Sequence, residues 1–278
     1  MADLNRPVDV SYDDGQPGVS AVAHNYCERG WCLLPTRISP AYLDPIRQSV
    51  AKISTQDRPE VVFEEGTRTV RAIHGCHRFD EACARLIHHA SLVEAAEMLV
   101  EDEVYVYQFK VNMKRPLEGA RWPWHQDFSF WHREDGMAAP NAVTLAIPLD
   151  DVFEHNGPVV VIPGSHSLGL LDGGGAGGGD WRNHVAANLS YTVDDAVADD
   201  LMKELGSIRL TGEIGSIFAF HPSIVHASSS NSSPDPRALI LITYNAVSNA
   251  PQSITRPPFL VERDSTPLRR KTYEGIVQ

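Results

Sequence analysis

Residues 104–112, with the sequence VYVYQFKVN, mark the point where the hydrophobic pattern of the chain changes from helical to extended. Polar and apolar side chains alternate here with the period of two that indicates a strand. We therefore predict two faces, one with Tyr105, Tyr107, Phe109 and Val111 and the other with Gln108, Lys110 and Asn112. Three polar side chains opposite aromatic ones are typical either of a solvated sheet face or of a functional one.

The segments before this strand have helical patterns. Ser39 is a suitable N-cap because Pro40 follows it at the first helical position, and the predicted helix runs to about Ser54. Residues 80–100 place apolar side chains at helical spacing, and we expect a break near Ala90.

Several short apolar segments after residue 112 are predicted to be strands, because Gly, Pro and Asn bound them. They are residues 142–149, 157–164, 215–220 and 237–246. In the last of these, Arg237, Thr243 and Asn245 fall on one face. Helices followed by many strands indicate an α+β protein, most simply one β-sandwich or barrel with helices packed outside.

The domain organisation follows from the composition along the chain. Residues 1–20, rich in Asp, Gly and Pro, are predicted to be a flexible leader, and residues 21–278 to be a single domain. The run GGGAGGGD at 173–180 has the composition of a mobile segment. We interpret residues 165–206 as a long connection with little core of its own and as a candidate lid.

Charge and cysteine content exclude several classes of protein. The net charge is −12 and no Lys/Arg-rich block is present, which argues against nucleic-acid binding. No apolar stretch is long enough to span a membrane, and the first residues lack the pattern of a secretory signal. The four cysteines form no C-x-x-C pair, so we expect reduced thiols in a cytoplasmic protein.

The densest aromatic cluster, WPWHQDFSFWHREDGM at 122–137, contains three of the five tryptophans and also His125 and Asp127. In an extended strand, residues two apart point the same way, so these two side chains would lie together. His226 is the best third ligand, because two histidines and one carboxylate form the facial triad that holds Fe(II). Arg237, eleven residues further on, has the planar guanidinium that binds a dicarboxylate.

The residues alone leave other interpretations open. His125 and Asp127 could form a buried hydrogen bond without a metal, or the same three ligands could serve a zinc hydrolase or a non-catalytic binding module for small molecules. His74, Cys76 and His77 are adjacent, but they lack the partner pair that a second metal site needs. We favour a place at the substrate entrance for this cluster.

The chain resembles the phytanoyl-CoA dioxygenase superfamily in several separate segments. They are TRTVRAIHGCH (67–77), VYVYQFKVN (104–112), WPWHQDFSFWHREDGM (122–137), HNGPVVVIPGSHSLGLLD (155–172), SSPDPRALILITYN (232–245) and RPPFLVERDSTP (256–267). The resemblance implies a double-stranded β-helix, a jelly-roll or cupin-like barrel, that uses Fe(II), 2-oxoglutarate and O2. Its substrate would be a free amino acid, with the bacterial enzymes that hydroxylate proline at C4 as the most similar branch and the ectoine hydroxylases as the alternative.

The resemblance also implies roles for individual residues. The iron ligands would be His125, Asp127 and His226, and the residues that bind 2-oxoglutarate would be Arg237, Lys110, Asn112, Ser228 and Thr144. The residues that contact the substrate would be Gln108, Trp131 and Asn245, and Arg71 is a candidate anchor for an amino-acid carboxylate. Trp124, Phe128 and Trp131 would form apolar walls that exclude water from the site. Gln126 favours the proline branch, because ectoine hydroxylases usually carry a small polar residue there, whereas His132 leaves the exact substrate open.

Overall fold

The structure of the protein, a computed structural model, describes residues 19–173 and 180–271 of the 278. The predicted leader therefore lies outside the described residues up to residue 18, and a helix begins at Val19. Most of the glycine-rich run at 173–180 also lies outside them.

The described residues form helices and two antiparallel sheets. The helices are α1 (Val19–Arg29), α2 (Pro40–Ile53), α3 (Glu81–Leu86), α4 (Ala90–Val100), α5 (Asp127–Asp135) and α6 (Asp195–Leu205). The strands are β1 (Trp31–Leu33), β2 (Val61–Phe63), β3 (Val70–His74), β4 (Val104–Lys114), β5 (Trp122–His125), β6 (Ala142–Pro148), β7 (Val159–Val161), β8 (Ile208–Leu210), β9 (Phe218–Phe220), β10 (His226–Ser228) and β11 (Arg237–Ala246). One sheet has the order β1-β9-β6-β11-β4-β3-β2, and the other has the order β5-β10-β7-β8.

The larger sheet separates the main hydrophobic core from the interior between the two sheets. Alternate residues of β11, Ile240 and Ile242, pack with side chains of helices α1 to α4 such as Leu43 and Leu92. Leu241 faces the other way, towards β7 and β9. Burying apolar side chains on both faces is worth roughly 1.5–3 kcal/mol for each large residue, so the sheet is a rigid wall of the interior.

The predicted helices at 39–54 and 80–100 are confirmed. The Ser39 hydroxyl accepts a hydrogen bond from the Tyr42 amide at 3.3 Å, and Pro40 occupies the first turn. The second segment is divided into α3 and α4, and α4 begins at Ala90, where the break was expected. Its N-cap is His89, whose ring accepts from the Ser91 amide.

The predicted alternation of VYVYQFKVN is wrong in its first half. A register shift in the pairing of β4 with β11 skips Tyr107, because Thr243 pairs with Gln108 and Tyr244 pairs with Val106. This β-bulge places Tyr105 and Tyr107 in a hydrophobic cluster with Trp131 of α5 and Tyr191, separate from the core that α1 to α4 cover. Phe109 and Val111 face the helices as expected.

The segment 165–206 contains more structure than we predicted. It includes α6, and Val185, Leu189 and Tyr191 are buried in the same cluster as Trp131. The predicted strand at 157–164 is shortened to β7, and the one at 215–220 to β9. No helix in 19–173 or 180–271 is both long and apolar enough to cross a membrane.

Candidate active site

Three buried side chains, His125, Asp127 and His226, meet between the two sheets. Each offers one ligand atom, and these atoms lie within 4.8 Å of one another. The pairing of β5 with β10 brings the histidines together, because His125 and His226 are direct partners with ring centroids 4.1 Å apart. This grouping was predicted from the sequence.

Both imidazoles present the same nitrogen to the centre of the group. The Nδ1 of His125 lies 2.7 Å from the Pro123 carbonyl, and the Nδ1 of His226 lies 3.0 Å from the Ile224 carbonyl. A carbonyl oxygen can only accept, so each Nδ1 carries the proton and each Nε2 keeps a lone pair. Such a backbone contact fixes the tautomer and the ring orientation of metal-binding histidines.

The charge states of the group also suit a divalent cation. Burial, followed by the nearby His226, lowers the pKa of His125 to about 3, and burial lowers the pKa of His226 as well. Burial alone would raise the pKa of Asp127, but Lys110 and the two imidazoles outweigh it and bring it to about 2. Two neutral imidazoles and one carboxylate are therefore available at neutral pH, which is the form that binds metal.

One oxygen of Asp127 has no hydrogen-bond partner in the described structure. Its Oδ1 lies 3.5 Å from the Lys110 ammonium and 3.8 Å from His125 Nε2, whereas its Oδ2 is buried and unpaired. A buried carboxylate oxygen without a partner is costly, and a cation held by the three residues would compensate it. The residues therefore fit a facial-triad metal such as Fe(II).

The predicted strand through WHQDF is wrong, although the side chains meet as expected. β5 ends at His125, Gln126 is the N-cap of α5, and Asp127 is the first residue of that helix. Gln126 is buried, and its side-chain amide donates to the carbonyls of Gly169 and Ser223 and accepts from the Leu171 amide. This side chain therefore connects the strand-to-helix corner with two neighbouring loops.

Replacing Gln126 with alanine is expected to lower the free energy of unfolding by roughly 2–4 kcal/mol. The change leaves the buried Ser223 carbonyl without a partner and removes the partly buried bonds to Gly169 and Leu171. A buried group left unpaired costs about 1–3 kcal/mol unless water enters. Urea unfolding followed by tryptophan fluorescence measures the loss, and the exposed Gln252 changed to alanine serves as the control. Equal stability of the two variants would contradict a structural role of Gln126.

The triad lines a cavity whose wall also contains a second group of polar residues, among them Arg237 at the start of β11. Arg237 is buried, and its Nε and Nη2 donate to the Gly157 carbonyl at 3.1 and 2.5 Å. Burial lowers its pKa to about 9, although Asp150 opposes this shift, so the guanidinium remains a cation at neutral pH. A buried cation that lines a cavity fits a carboxylate ligand. Ser228, Lys110 and Asn112 line the same cavity, and their contact with 2-oxoglutarate stays a prediction.

Several predicted contact residues do not line this cavity. Thr144 is fully buried, and its hydroxyl lies 3.0 Å from that of Thr243. The Asn245 amide donates to the Tyr105 hydroxyl and to the Asn249 carbonyl. Gln108 and Trp131, by contrast, are part of the lining.

Arg71 is bound to protein groups on every side of its guanidinium. It forms an ion pair with Glu64 at 2.9 Å, donates to the carbonyls of Val185 and Arg121, and lies 3.7 Å from the Trp122 ring. It is not part of the cavity lining, so the structure does not place it as a carboxylate anchor for substrate.

Two residues that the sequence did not single out lie in the cavity wall. Arg256 lines the cavity and is held by an ion pair with Asp135, which also accepts from the Tyr107 hydroxyl. His184 lines it from the 3₁₀ turn Trp181–His184. In the sequence, Arg256 was marked only as the first residue of RPPFLVERDSTP, one of the segments that resemble the family.

The aromatic wall differs from the predicted one. Trp122, Phe130 and Trp131 line the cavity. Trp124 packs instead in a separate cluster with Ile162 and Val225, and Phe128 is buried without lining the cavity. The start of α5 explains the position of Phe128, because side chains after Gln126 follow a helical and not an alternating pattern. Trp124 is the neighbour of His125 in β5, and neighbours in a strand point to opposite faces.

Comparison with protein families agrees with this arrangement. The family described as phytanoyl-CoA dioxygenase (PhyH) matches residues 26–239. The L-proline trans-4-hydroxylase of Streptomyces griseoviridis is 54% identical over 247 residues, which cover 87% of this chain and 92% of that protein. The ectoine dioxygenase of Sphingopyxis alaskensis is 32% identical over 223 residues, covering 79% of this chain and 73% of that one.

Solved structures resemble the chain over nearly its whole length. The crystal structure of EctD from S. alaskensis with 2-oxoglutarate and 5-hydroxyectoine has a TM-score of 0.78 and 28% sequence identity, and the match covers 94% of this chain and 90% of that one. The structure of the same protein with bound Fe has a TM-score of 0.77 at the same identity and coverage.

Proposed function

Since the chain belongs to the phytanoyl-CoA dioxygenase family, we propose that it hydroxylates free L-proline at C4 with Fe(II), 2-oxoglutarate and O2. The observation that carries this proposal is the triad of His125, Asp127 and His226 beside Arg237, in a chain 54% identical to an L-proline trans-4-hydroxylase. We also infer that the two sheets are the walls of a double-stranded β-helix, which the likeness to EctD supports.

The triad would hold the iron through two Nε2 atoms and one carboxylate. Bound Fe(II) supplies oxygen activation coupled to decarboxylation of 2-oxoglutarate, which yields succinate and CO2 and places one oxygen atom in a C–H bond of the substrate. Lys110, 3.5 Å from Asp127, keeps the carboxylate ionised and oriented. Trp122, Phe130 and Trp131 exclude water from the reacting centre.

Arg237 would bind the distal carboxylate of 2-oxoglutarate. Its side chain is oriented by the Gly157 carbonyl before any ligand arrives, so little rotamer entropy is lost on binding. Ser228 lies in the same part of the lining and can donate a further hydrogen bond.

Arg256, a second arginine in the cavity lining, would bind the carboxylate of the amino acid. Asp135 and Arg256 form a buried pair, in which the Nε and Nη2 of Arg256 both donate to the carboxylate. The Asp135 carboxylate therefore fixes the direction of the guanidinium. Gln108 and Trp131 would complete the site around the ring of the substrate.

We further propose that the described residues around 180–191 cover the substrate, because His184, Val185 and Leu189 line the cavity. A cytoplasmic location is supported by four free cysteines, one of them exposed.

Succinate formation tests the proposed function directly. We expect purified protein with Fe(II), 2-oxoglutarate and O2 to form succinate at a rate that free L-proline stimulates, together with a product heavier by one oxygen atom. The position of the new hydroxyl is then read by NMR spectroscopy. Succinate without a hydroxylated proline would contradict the proposed substrate but keep the dioxygenase.

The relatives named ectoine dioxygenase give the alternative substrate, ectoine, which is assayed in the same way. Turnover of an ester or amide with zinc and without O2 would favour the hydrolase interpretation. Binding of proline without any turnover would favour a binding module.

A further inference from the structure

The last two residues of α5 each contact one side chain of the cavity wall. Asp135 pairs with Arg256, and Glu134 lies 3.6 Å from His184. Because α5 begins at Asp127, one helix of nine residues connects the metal ligand with both of these wall residues. The mechanism proposed above uses Arg256 and leaves His184 without a role.

The contact with Glu134 determines which nitrogen of the His184 ring carries the proton. The Glu134 carboxylate faces Nε2, and its Oε1 also accepts a hydrogen bond from the Tyr191 hydroxyl. A carboxylate cannot donate, so it favours the tautomer with the proton on Nε2. The lone pair is then on Nδ1, which makes this nitrogen an acceptor.

This acceptor has no partner within the described residues. His184 is 8% exposed, its Nδ1 is buried, and no hydrogen bond to Nδ1 is formed. Native proteins rarely leave such atoms unpaired, so a buried unpaired nitrogen on a cavity wall indicates a ligand atom opposite it. The missing partner must be a hydrogen-bond donor.

We propose that His184, oriented by Glu134, accepts a hydrogen bond from the secondary ammonium group of the amino-acid substrate while Arg256 binds its carboxylate. The inference rests on the proposed function and adds the recognition of the second charge of the zwitterion. Glu134, Asp135 and Arg256 together carry a net charge of about −1, which favours a cation here.

His74 is the competing acceptor, because its Nε2 is also buried and unpaired on the cavity wall. Its surroundings are, however, positive. It pairs across the sheet with Lys110, and both Lys110 and Arg256 act on it as nearby cations. An ammonium group at this position would be repelled. Arg256 acts on His184 as well, but there the carboxylates of Glu134 and Asp135 act in the opposite direction.

Two acids that differ in the ammonium group show which of the two histidines binds it. L-Proline and cyclopentanecarboxylate share the five-membered ring and the carboxylate, but the second lacks the ammonium group. We expect the native protein to prefer proline by about 10- to 100-fold in kcat/KM, the range for a hydrogen bond to a charged group. In His184→Phe this preference should fall to nearly one, mainly through the KM for proline, with cyclopentanecarboxylate turnover little changed.

Further variants and a binding measurement keep the test independent of folding and of turnover. Glu134→Gln leaves the His184 ring in place but removes the charge that sets its tautomer, so it should lose part of the same preference. Calorimetric titration of both acids, without O2, should show the same loss in affinity. The exposed His155→Phe is the matched control, for which no change is expected.

Three results would overturn the inference. They are an unchanged preference in His184→Phe, a collapse of the preference in His74→Phe alone, or an equal loss for both substrates. Failure of the proposed function has a different signature, because the native protein would then not hydroxylate proline at all.

Discussion

Asp127→Ala should lose iron and, with it, hydroxylation. Removing the supporting contact of a metal ligand already costs roughly 10- to 100-fold in affinity, so removal of the ligand itself should exceed 100-fold. The change also leaves Lys110 without the carboxylate 3.5 Å from its ammonium, so a cation faces two imidazoles where the metal should be. Bound iron after gel filtration and product by mass spectrometry measure the two losses.

Two further variants make this result specific. Asp57→Ala removes an exposed carboxylate and should keep iron and activity, while Asp127→Glu keeps the charge on a longer side chain and should retain part of the affinity. Near-native turnover in Asp127→Ala would rule out the triad assignment.

Arg237→Ala should lower kcat/KM for 2-oxoglutarate, mainly by raising the KM. Truncating one partner of a buried charge pair costs roughly 2–5 kcal/mol, which corresponds to about 30-fold to several thousand-fold in kcat/KM. Arg237→Lys keeps a charge but not the planar pair of donors, so its loss should be smaller. Initial rates at varied 2-oxoglutarate concentration measure the loss in each of the two variants.

A cosubstrate without the distal carboxylate provides the control for Arg237. A 2-oxo acid of the same chain length without the distal carboxylate should be a poor cosubstrate of the native protein and should be affected little by the substitution. Arg115→Ala, in an exposed turn, should leave both cosubstrates unchanged. A loss of equal size for the two oxo acids would place Arg237 in the structure of the site and not in recognition.

The parts of the site that lie on regular strands were predictable from the sequence. His226 and Arg237 begin β10 and β11, where neighbours in the sequence have fixed directions, and Lys110 and Asn112 alternate along β4. Helix α2 was predictable for the same reason, since Ser39 and Pro40 form a local signal that needs no distant partner.

The other parts depend on contacts between distant segments. The bulge at Tyr107 is decided by the pairing of β4 with β11, which the alternation of one strand cannot reveal. The helix that starts at Asp127 requires Gln126 to bind two loops far along the chain. Arg256 and His184 lie outside strands. Their positions depend on contacts with Asp135 and Glu134 of α5, which no local sequence period reveals.

Helix α5 also bears on which carbon atom of a substrate is oxidised. Asp127 and Asp135 are eight residues apart on it, which corresponds to about 12 Å along the axis. Because Asp135 holds Arg256, this helix connects the triad with the proposed carboxylate anchor. If the proposed anchor holds, we expect changes elsewhere in the cavity wall to alter which molecules are accepted, and a different length or tilt of this helix to alter which carbon atom is oxidised.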